Sequence, residues 1–285
     1  MSSEKLLVEF ENFVQEKLKT KKSFHPHFHK AYLQMFQAGG KRFRPLLLLN
    51  VVDAYQNQLV PNAMFAALSI EMFHTYSLIH DDLPTFDDAD LRRGVKTLHI
   101  SYDEVTATLI GDALNSDSFL LLSNSPYADD VKVALIKTLA QNGGGEGMVL
   151  GQALDCYFED QRLSLDELKF LHIHKTAKLI ATSLKMGAII ANLSSNEQKN
   201  LYDMGIKIGL LFQIQDDIID ATLSEEEAGK PTNNDSLKNS FTNLMGVKEA
   251  VRYRDTLKDA LLEDIKVLKE PLNTKLEEMI KRYFS

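Results

Sequence analysis

The stretch Leu201-Tyr202-Asp203-Met204-Gly205-Ile206-Lys207-Ile208-Gly209-Leu210-Leu211-Phe212-Gln213-Ile214-Gln215-Asp216-Asp217-Ile218-Ile219-Asp220 carries apolar side chains at Leu201, Met204, Ile208, Leu211 and Phe212. That spacing returns them to one side of an α-helix, so the stretch reads as a long amphipathic helix. The same period runs through Leu6, Phe10, Phe13 and Val14 and through Met64, Leu68, Met72 and Phe73, and no convincing alternating strand run appears. The expected fold class is therefore all-α, with about ten helices. Breaks fall at Gln37 to Arg44, Asn57 to Asn62, Asn124-Ser125-Pro126, Asn142 to Gly147, Asn192 to Asn196 and Leu223 to Lys238. The last break is polar and holds Gly229, Pro231, Asn233 and Asn234, which suits a loop that closes over a site.

The chain has 285 residues, 44% of them hydrophobic, which suits one large helical domain, expected over residues 1–285. A net charge of −8, from 32 basic and 40 acidic residues, and the lack of a basic run argue against a general nucleic-acid binder. Cys156 is the single cysteine, so an intrachain disulfide is excluded and a thiolate zinc site is disfavoured. With no cationic partner near it in sequence, Cys156 reads as a buried structural thiol. Met1-Ser2-Ser3-Glu4-Lys5 lacks the basic start and apolar core of a signal peptide. The apolar run from Leu179 to Leu193 is broken by Lys185 and is too short to span a bilayer. These features lead to the expectation of a cytoplasmic protein with no transmembrane segment.

Two aspartate clusters carry the chemistry. Asp81-Asp82-Leu83-Pro84-Thr85-Phe86-Asp87-Asp88 follows Ser77-Leu78-Ile79, and Asp216-Asp217-Ile218-Ile219-Asp220 follows Leu210-Leu211-Phe212. Neighbouring carboxylates repel and raise one another's pKa unless a multivalent cation or cationic ligand neutralises them. Hard oxygen donors with room for water suit Mg²⁺ bridged to a phosphorylated substrate. Asp216 and Asp220 share a helix face, with Gln213 about one turn earlier. In the first cluster Pro84 interrupts the helix, and a bulge there would let a later carboxylate reach an ion held by Asp81. One acidic cluster is equally well a solvated helix end. Two, each ending an apolar helix, imply the mouth of a hydrophobic cavity.

Cations accompany the clusters. Lys41 and Arg44, within Gly39-Gly40-Lys41-Arg42-Phe43-Arg44-Pro45, precede an apolar run and so stand at a helix N-terminus, where an anion is welcome. Arg92 and Arg93 are explained equally by phosphate binding and by ion pairing with Asp87, Asp88 and Asp90. His74 lies seven residues before Asp81 and so on the same face, although a lone histidine on an apolar helix is more often a core residue. Gly143-Gly144-Gly145-Glu146-Gly147 lacks the Lys-Ser/Thr ending of a phosphate loop and reads as a helix connection. His172 and His174 are two apart and cannot share a helix face. Gly205 and Gly209 would let a second helix come close, or serve simple packing.

In order along the chain, Gly39 to Pro45, Asp81 to Gly94, Gly151-Gln152-Ala153-Leu154-Asp155, His174-Lys175-Thr176 and Phe212 to Asp220 resemble the motifs of the trans-isoprenyl diphosphate synthases. Within that family the chain looks most like the bacterial enzymes that make the fifteen-carbon product. The resemblance implies an all-α isoprenoid synthase fold around a central cavity, commonly a homodimer. It implies Mg²⁺ as cofactor, three ions per active site, held by Asp81, Asp87 and Asp216, with Asp82, Asp88, Asp217 and Asp220 completing the shell directly or through water. Arg92, Lys175, Lys230 and Lys238 would hold an allylic diphosphate. Lys41, Arg44, His74 and Arg93 would hold isopentenyl diphosphate, and Thr176 and Gln213 would turn oxygen dipoles towards a carbocation. Tyr76, five residues before Asp81, would be the floor that stops growth at farnesyl diphosphate, unless it only packs in the core. The family often has Gly at the position of Asn233 and Thr-Tyr-Pro where Ser240-Phe241-Thr242 stands. Alternatives are a geranylgeranyl diphosphate synthase, a terpene cyclase or a non-catalytic regulatory subunit. The intact second aspartate motif disfavours the cyclase, and the full set of aspartates and cations disfavours the regulatory subunit.

Overall fold

The periodic runs quoted above all lie in helices of the computed structural model, which describes residues 1–19, 23–222 and 239–284. In chain order the elements are α1 (Ser3–Lys17), α2 (Phe28–Gln37), α3 (Phe43–Gln56), a 3₁₀ turn (Asn57–Leu59), α4 (Val60–Asp81), β1 (Leu91–Arg92), β2 (Val95–Lys96), α5 (Leu98–Ser101) and α6 (Glu104–Ser123). There follow α7 (Asp129–Gly143), α8 (Met148–Tyr157), α9 (Leu165–His172), a π-helical turn (Ile173–Ala177), α10 (Lys178–Ile190), α11 (Ser195–Thr222), α12 (Phe241–Met245), α13 (Val247–Lys266) and α14 (Leu272–Tyr283). The breaks read from sequence before residue 200 coincide with helix junctions; the one at 223–238 lies outside the described residues.

A helix that is apolar all round belongs at the centre of a fold. In α3 every residue from Pro45 to Asp53 is buried, and α4 and α10 are buried over most of their surfaces. These form the inner layer: α3 lies against α4 and α10, while α6 covers α4 and α11 covers α10. A smaller apolar cluster of Leu168, Ile214, Ile218, Phe241 and Ala250 ties the far part of α11 to α9, α12 and α13.

The long helix α11 begins at a reciprocal cap. Ser194 N–H donates to Glu197 Oε2 at 3.0 Å and Glu197 N–H donates to Ser194 Oγ at 3.3 Å, satisfying donors that a helix start leaves open. Further along, α11 touches its neighbour backbone to backbone. A Cβ on Gly205 would lie 2.4 Å from Ala181 Cα, and one on Gly209 2.3 Å from Ala177 Cα. Close approach, left open by the sequence, is therefore what these glycines serve, and it sets the depth and rotation at which Gln213 and Asp216 are presented.

The short antiparallel pair β1 and β2 departs from the strand-free expectation. Arg93 and Gly94 between them have φ of 55° and 75°, the left-handed pair that a two-residue hairpin turn requires. Among the described residues no helix is long and apolar enough to cross a membrane.

Candidate active site

A cavity of about 520 Å³ opens among α3, α4, α8, the π-helical turn and α11. Arg44 reaches it from α3, His74, Tyr76, Ser77 and Asp81 from α4, Lys175 and Thr176 from the π-helical turn, and Phe212, Gln213 and Asp216 from α11. Eight of the residues given roles from sequence, Arg44, His74, Tyr76, Asp81, Lys175, Thr176, Gln213 and Asp216, thus line one space.

After Asp81 the chain turns back on itself at Pro84. Asp87 N–H donates to the Asp81 carbonyl at 2.9 Å and Ala89 N–H to the Asp82 carbonyl at 3.2 Å. The bulge expected at the proline thus brings Asp87 beside Asp81. Burial pushes the Asp81 carboxyl up to about 6, with Lys175 pulling it down and Asp87 adding to the rise. Asp82 points inward and accepts a hydrogen bond from Arg92 Nε at 2.8 Å, while Arg92 Nη2 also lies 3.8 Å from Asp87. Ion pairing and proximity to the motif therefore coexist at Arg92.

Lys175 is set by two features. The π-helical turn inserts a residue between α9 and α10, a distortion that re-aims side chains at functional sites. Gly151 of α8 leaves room for it: a Cβ there would lie 2.0 Å from Lys175 N. The Lys175 ammonium pairs with Asp155. Burial works to lower its pKa, but Asp155 and Asp81 outweigh burial and hold it above the ordinary lysine value. Beside it, Thr176 Oγ1 donates to Gln213 Oε1 at 2.9 Å, which fixes the amide plane against the cavity.

The cations of the other wall separate by role. Arg42 has φ of 45° and turns inward, pairing with Glu11 at 2.7 Å and Glu71 at 2.9 Å and donating to the Phe36 carbonyl at 2.8 Å. Arg44 faces the cavity with its Nε unpartnered. Burial lowers its pKa to about 10 although Glu71 opposes the shift. His74 is pushed well below the usual histidine value by burial and then by Arg44 and Arg93, so its imidazole is neutral. Arg93 does not line the cavity; it donates to the Gly39 carbonyl at 2.6 Å and sits 3.8 Å from Glu71, clamping the glycine turn before α3. Lys41 is exposed, its ammonium 5.9 Å from the Phe212 ring centre and 5.7 Å from that of Tyr283. Lys230 and Lys238 lie outside the described residues.

The family described as Polyprenyl synthetase matches residues 25–281. The chain belongs to the polyprenyl synthetase family. The farnesyl diphosphate synthase of Micrococcus luteus is 39% identical over 98% of this chain and 97% of its own length. The chloroplastic geranylgeranyl pyrophosphate synthase of Capsicum annuum is 41% identical over 80% of this chain and 63% of its own. A crystal structure of a geranyltransferase from Helicobacter pylori complexed with magnesium and isoprenyl diphosphate superimposes with a TM-score of 0.93 at 49% identity, covering 99% of this chain and 96% of that one.

In this polyprenyl synthetase several residues of the site escaped the reading of the sequence. Asp155, the partner of Lys175, belongs to the Gly151 to Asp155 motif, and its position three after Gln152 on one helix face is the signal that could have singled it out. Glu71, buried beside Arg42 and Arg93, carries a weaker signal: it is an acid inside an otherwise apolar helix. Asp217 is engaged elsewhere, accepting the Phe241 N–H at 2.7 Å and so holding Ser240-Phe241-Thr242 against α11. Cys156 is exposed, contrary to the buried thiol expected, because α8 buries only Met148 and Gly151 and leaves its outer face open.

The donor set suits a magnesium site completed by its substrate. Among the described residues no three His, Cys, Asp or Glu side chains are close enough to hold a metal ion by themselves. Asp81 and Asp216 nonetheless line one cavity, and Asp87 is close enough to Asp81 to add to the rise that burial imposes on its carboxyl. Hard carboxylate oxygens of this kind bind Mg²⁺ together with substrate phosphates.

Proposed function

We propose that this polyprenyl synthetase is a Mg²⁺-dependent head-to-tail prenyltransferase. It condenses isopentenyl diphosphate with dimethylallyl and then geranyl diphosphate to give farnesyl diphosphate, acting in the cytoplasm as a homodimer whose protomer is one domain over residues 1–285. One observation carries this reading: Asp81, Asp216 and Lys175 share a cavity with the apolar groups Tyr76, Met148 and Phe212. Such a space takes a charged head and a greasy tail together.

Asp81, Asp87 and Asp216 would hold Mg²⁺, which when bound neutralises the charge that builds on the departing diphosphate. Lys175 and Arg92, with Lys230 and Lys238, would grip the allylic diphosphate, and a cation fixed where charge develops is worth more in the transition state than in the ground state. The allylic carbon–oxygen bond breaks and its electron pair leaves on diphosphate. The double bond of isopentenyl diphosphate then supplies the pair for the new carbon–carbon bond, and the adjacent carbon loses a proton to the released diphosphate. Lys41, Arg44 and Arg93 would orient the second diphosphate, and neutral His74 would donate a ring N–H to it. The Thr176 to Gln213 hydrogen bond fixes an amide oxygen dipole beside the allylic cation. Phe212, Met148 and Tyr76 keep water from that cation, which would otherwise be quenched to an alcohol.

Tyr76 supports the fifteen-carbon product over the twenty-carbon one. It is 6% exposed, lines the cavity, and stands on α4 about 7.5 Å of helix rise from Asp81, at five residues of 1.5 Å each. The test is to incubate the protein with Mg²⁺, isopentenyl diphosphate and either dimethylallyl or geranyl diphosphate and to measure product chain length. Farnesyl diphosphate is expected. No turnover would remove the enzymatic reading, and a twenty-carbon main product would favour a geranylgeranyl diphosphate synthase.

A further inference from the structure

Glycine is a poorer helix residue than alanine, because it gives up more conformational freedom on folding. Gly143, the buried last residue of α7, has a compensating neighbour. A Cβ at this position would lie 2.2 Å from Cε1 and 2.3 Å from Cζ of Phe73, well inside van der Waals contact. The bare backbone of α7 is therefore the seat of the Phe73 ring. The other sides of that ring are also taken: Tyr76 stands edge-on with centroids 4.7 Å apart and Phe119 with centroids 5.7 Å apart. Tyr76 lines the cavity and Phe73 does not, so Phe73 stands behind Tyr76 as seen from the cavity.

We infer that Gly143 is a specificity-determining residue: the room it leaves for Phe73 sets how far Tyr76 stands back from the cavity, and hence the length of chain the site accepts. The inference rests on the reading of Tyr76 as the cavity floor. A methyl group on residue 143 drives the Phe73 ring off α7. Phe119 and Tyr76 block the ring on its other sides, and of these Tyr76 has open space beyond it, in the cavity. Tyr76 moves inward and the cavity shortens. Closely packed interiors transmit such a displacement instead of absorbing it.

Gly143→Ala is expected to shift the main product from farnesyl to geranyl diphosphate. Its kcat/KM with geranyl diphosphate falls about tenfold or more, the discrimination that roughly one methylene of pocket depth supplies, while that with dimethylallyl diphosphate changes less than about twofold. Gly143→Ala combined with Phe73→Leu removes the ring that meets the methyl and restores the fifteen-carbon product. Phe73→Leu alone takes away the support behind Tyr76 and yields products longer than fifteen carbons, which tests the inference even if Gly143→Ala fails to fold. A folded Gly143→Ala with native product and rate, or Phe73→Leu with native product, overturns the role of Gly143. Tyr76→Ala is run beside them. If it lengthens the product while folded Gly143→Ala changes nothing, only the Gly143 inference falls. If it leaves the product at fifteen carbons, the reading of Tyr76 as floor falls.

Discussion

Neutral imidazoles do two different jobs in this chain. His74 faces the cavity between Arg44 and Asp81, and its low pKa leaves it an N–H donor that adds no charge to an already cationic wall. A hydrogen bond to a charged group contributes about 1.5–3 kcal/mol. His74→Ala should therefore raise KM for isopentenyl diphosphate roughly tenfold to a hundredfold and leave the allylic KM nearly unchanged, by steady-state kinetics; equal effects on both would return His74 to the core. His172, by contrast, is 4% exposed, stacks on Phe241 with centroids 5.3 Å apart, and has no partner for either ring nitrogen among the described residues. Burial lowers its pKa from 6.5 to about 4, with Asp155 opposing and Lys175 adding to the shift. The unfolded chain takes up a proton below 6.5 that the native state refuses. Stability from this residue is thus complete above pH 6.5 and is lost as pH falls towards about 4, by up to about 3 kcal/mol. Urea midpoints at pH 7 and pH 4.5 should differ less for His172→Leu than for the native chain, and an identical difference would remove His172 as the cause.

Helix α11 carries Gln213 and Asp216 only because Gly205 and Gly209 let it lie against α10 and the π-helical turn. Gly209→Leu would force these backbones apart, with a destabilisation of at least about 2 kcal/mol. Turnover should fall together with Tm in this variant; full activity at native Tm would mean that the close contact does not matter. The helix itself was legible from its spacing, and so was the glycine pair, but the surface the glycines meet lies in another part of the chain and leaves no local signal. The π-helical turn was not legible, because one inserted residue barely disturbs a 3.6 period. Strands of two residues show no alternation, so the hairpin at Arg93-Gly94 could be found only through its turn. Arg42 and Arg44 stand two residues apart in sequence, and only Arg44 was singled out there. In the fold they part, the first into a buried network with Glu11 and Glu71 and the second into the cavity. The cavity-facing set on α4 was read well because seven residues are two full turns and return His74 and Asp81 to one side.

Across the molecule, the two aspartate motifs stand on different helices and share a cavity without closing a metal site of their own. Mg²⁺ alone should therefore bind weakly, and Mg²⁺ with inorganic diphosphate should bind cooperatively. At a hundredfold excess over Kd such a ligand adds about 2.7 kcal/mol of stability. Thermal melts should show a rise of several degrees with both components and little with either one; an equal rise with Mg²⁺ alone would point to a preformed site. The ion pairs at the mouth carry a further meaning. Arg92 rests on Asp82 and Asp87, and Lys175 rests on Asp155. Every ligand that takes these cations must exchange itself for a carboxylate already there. A prenyl alcohol brings no charge to that exchange, and a monophosphate brings less than a diphosphate. The resting contacts thus act as a charge filter, which favours a ligand carrying a diphosphate over the prenyl alcohol or monophosphate left when that group is lost.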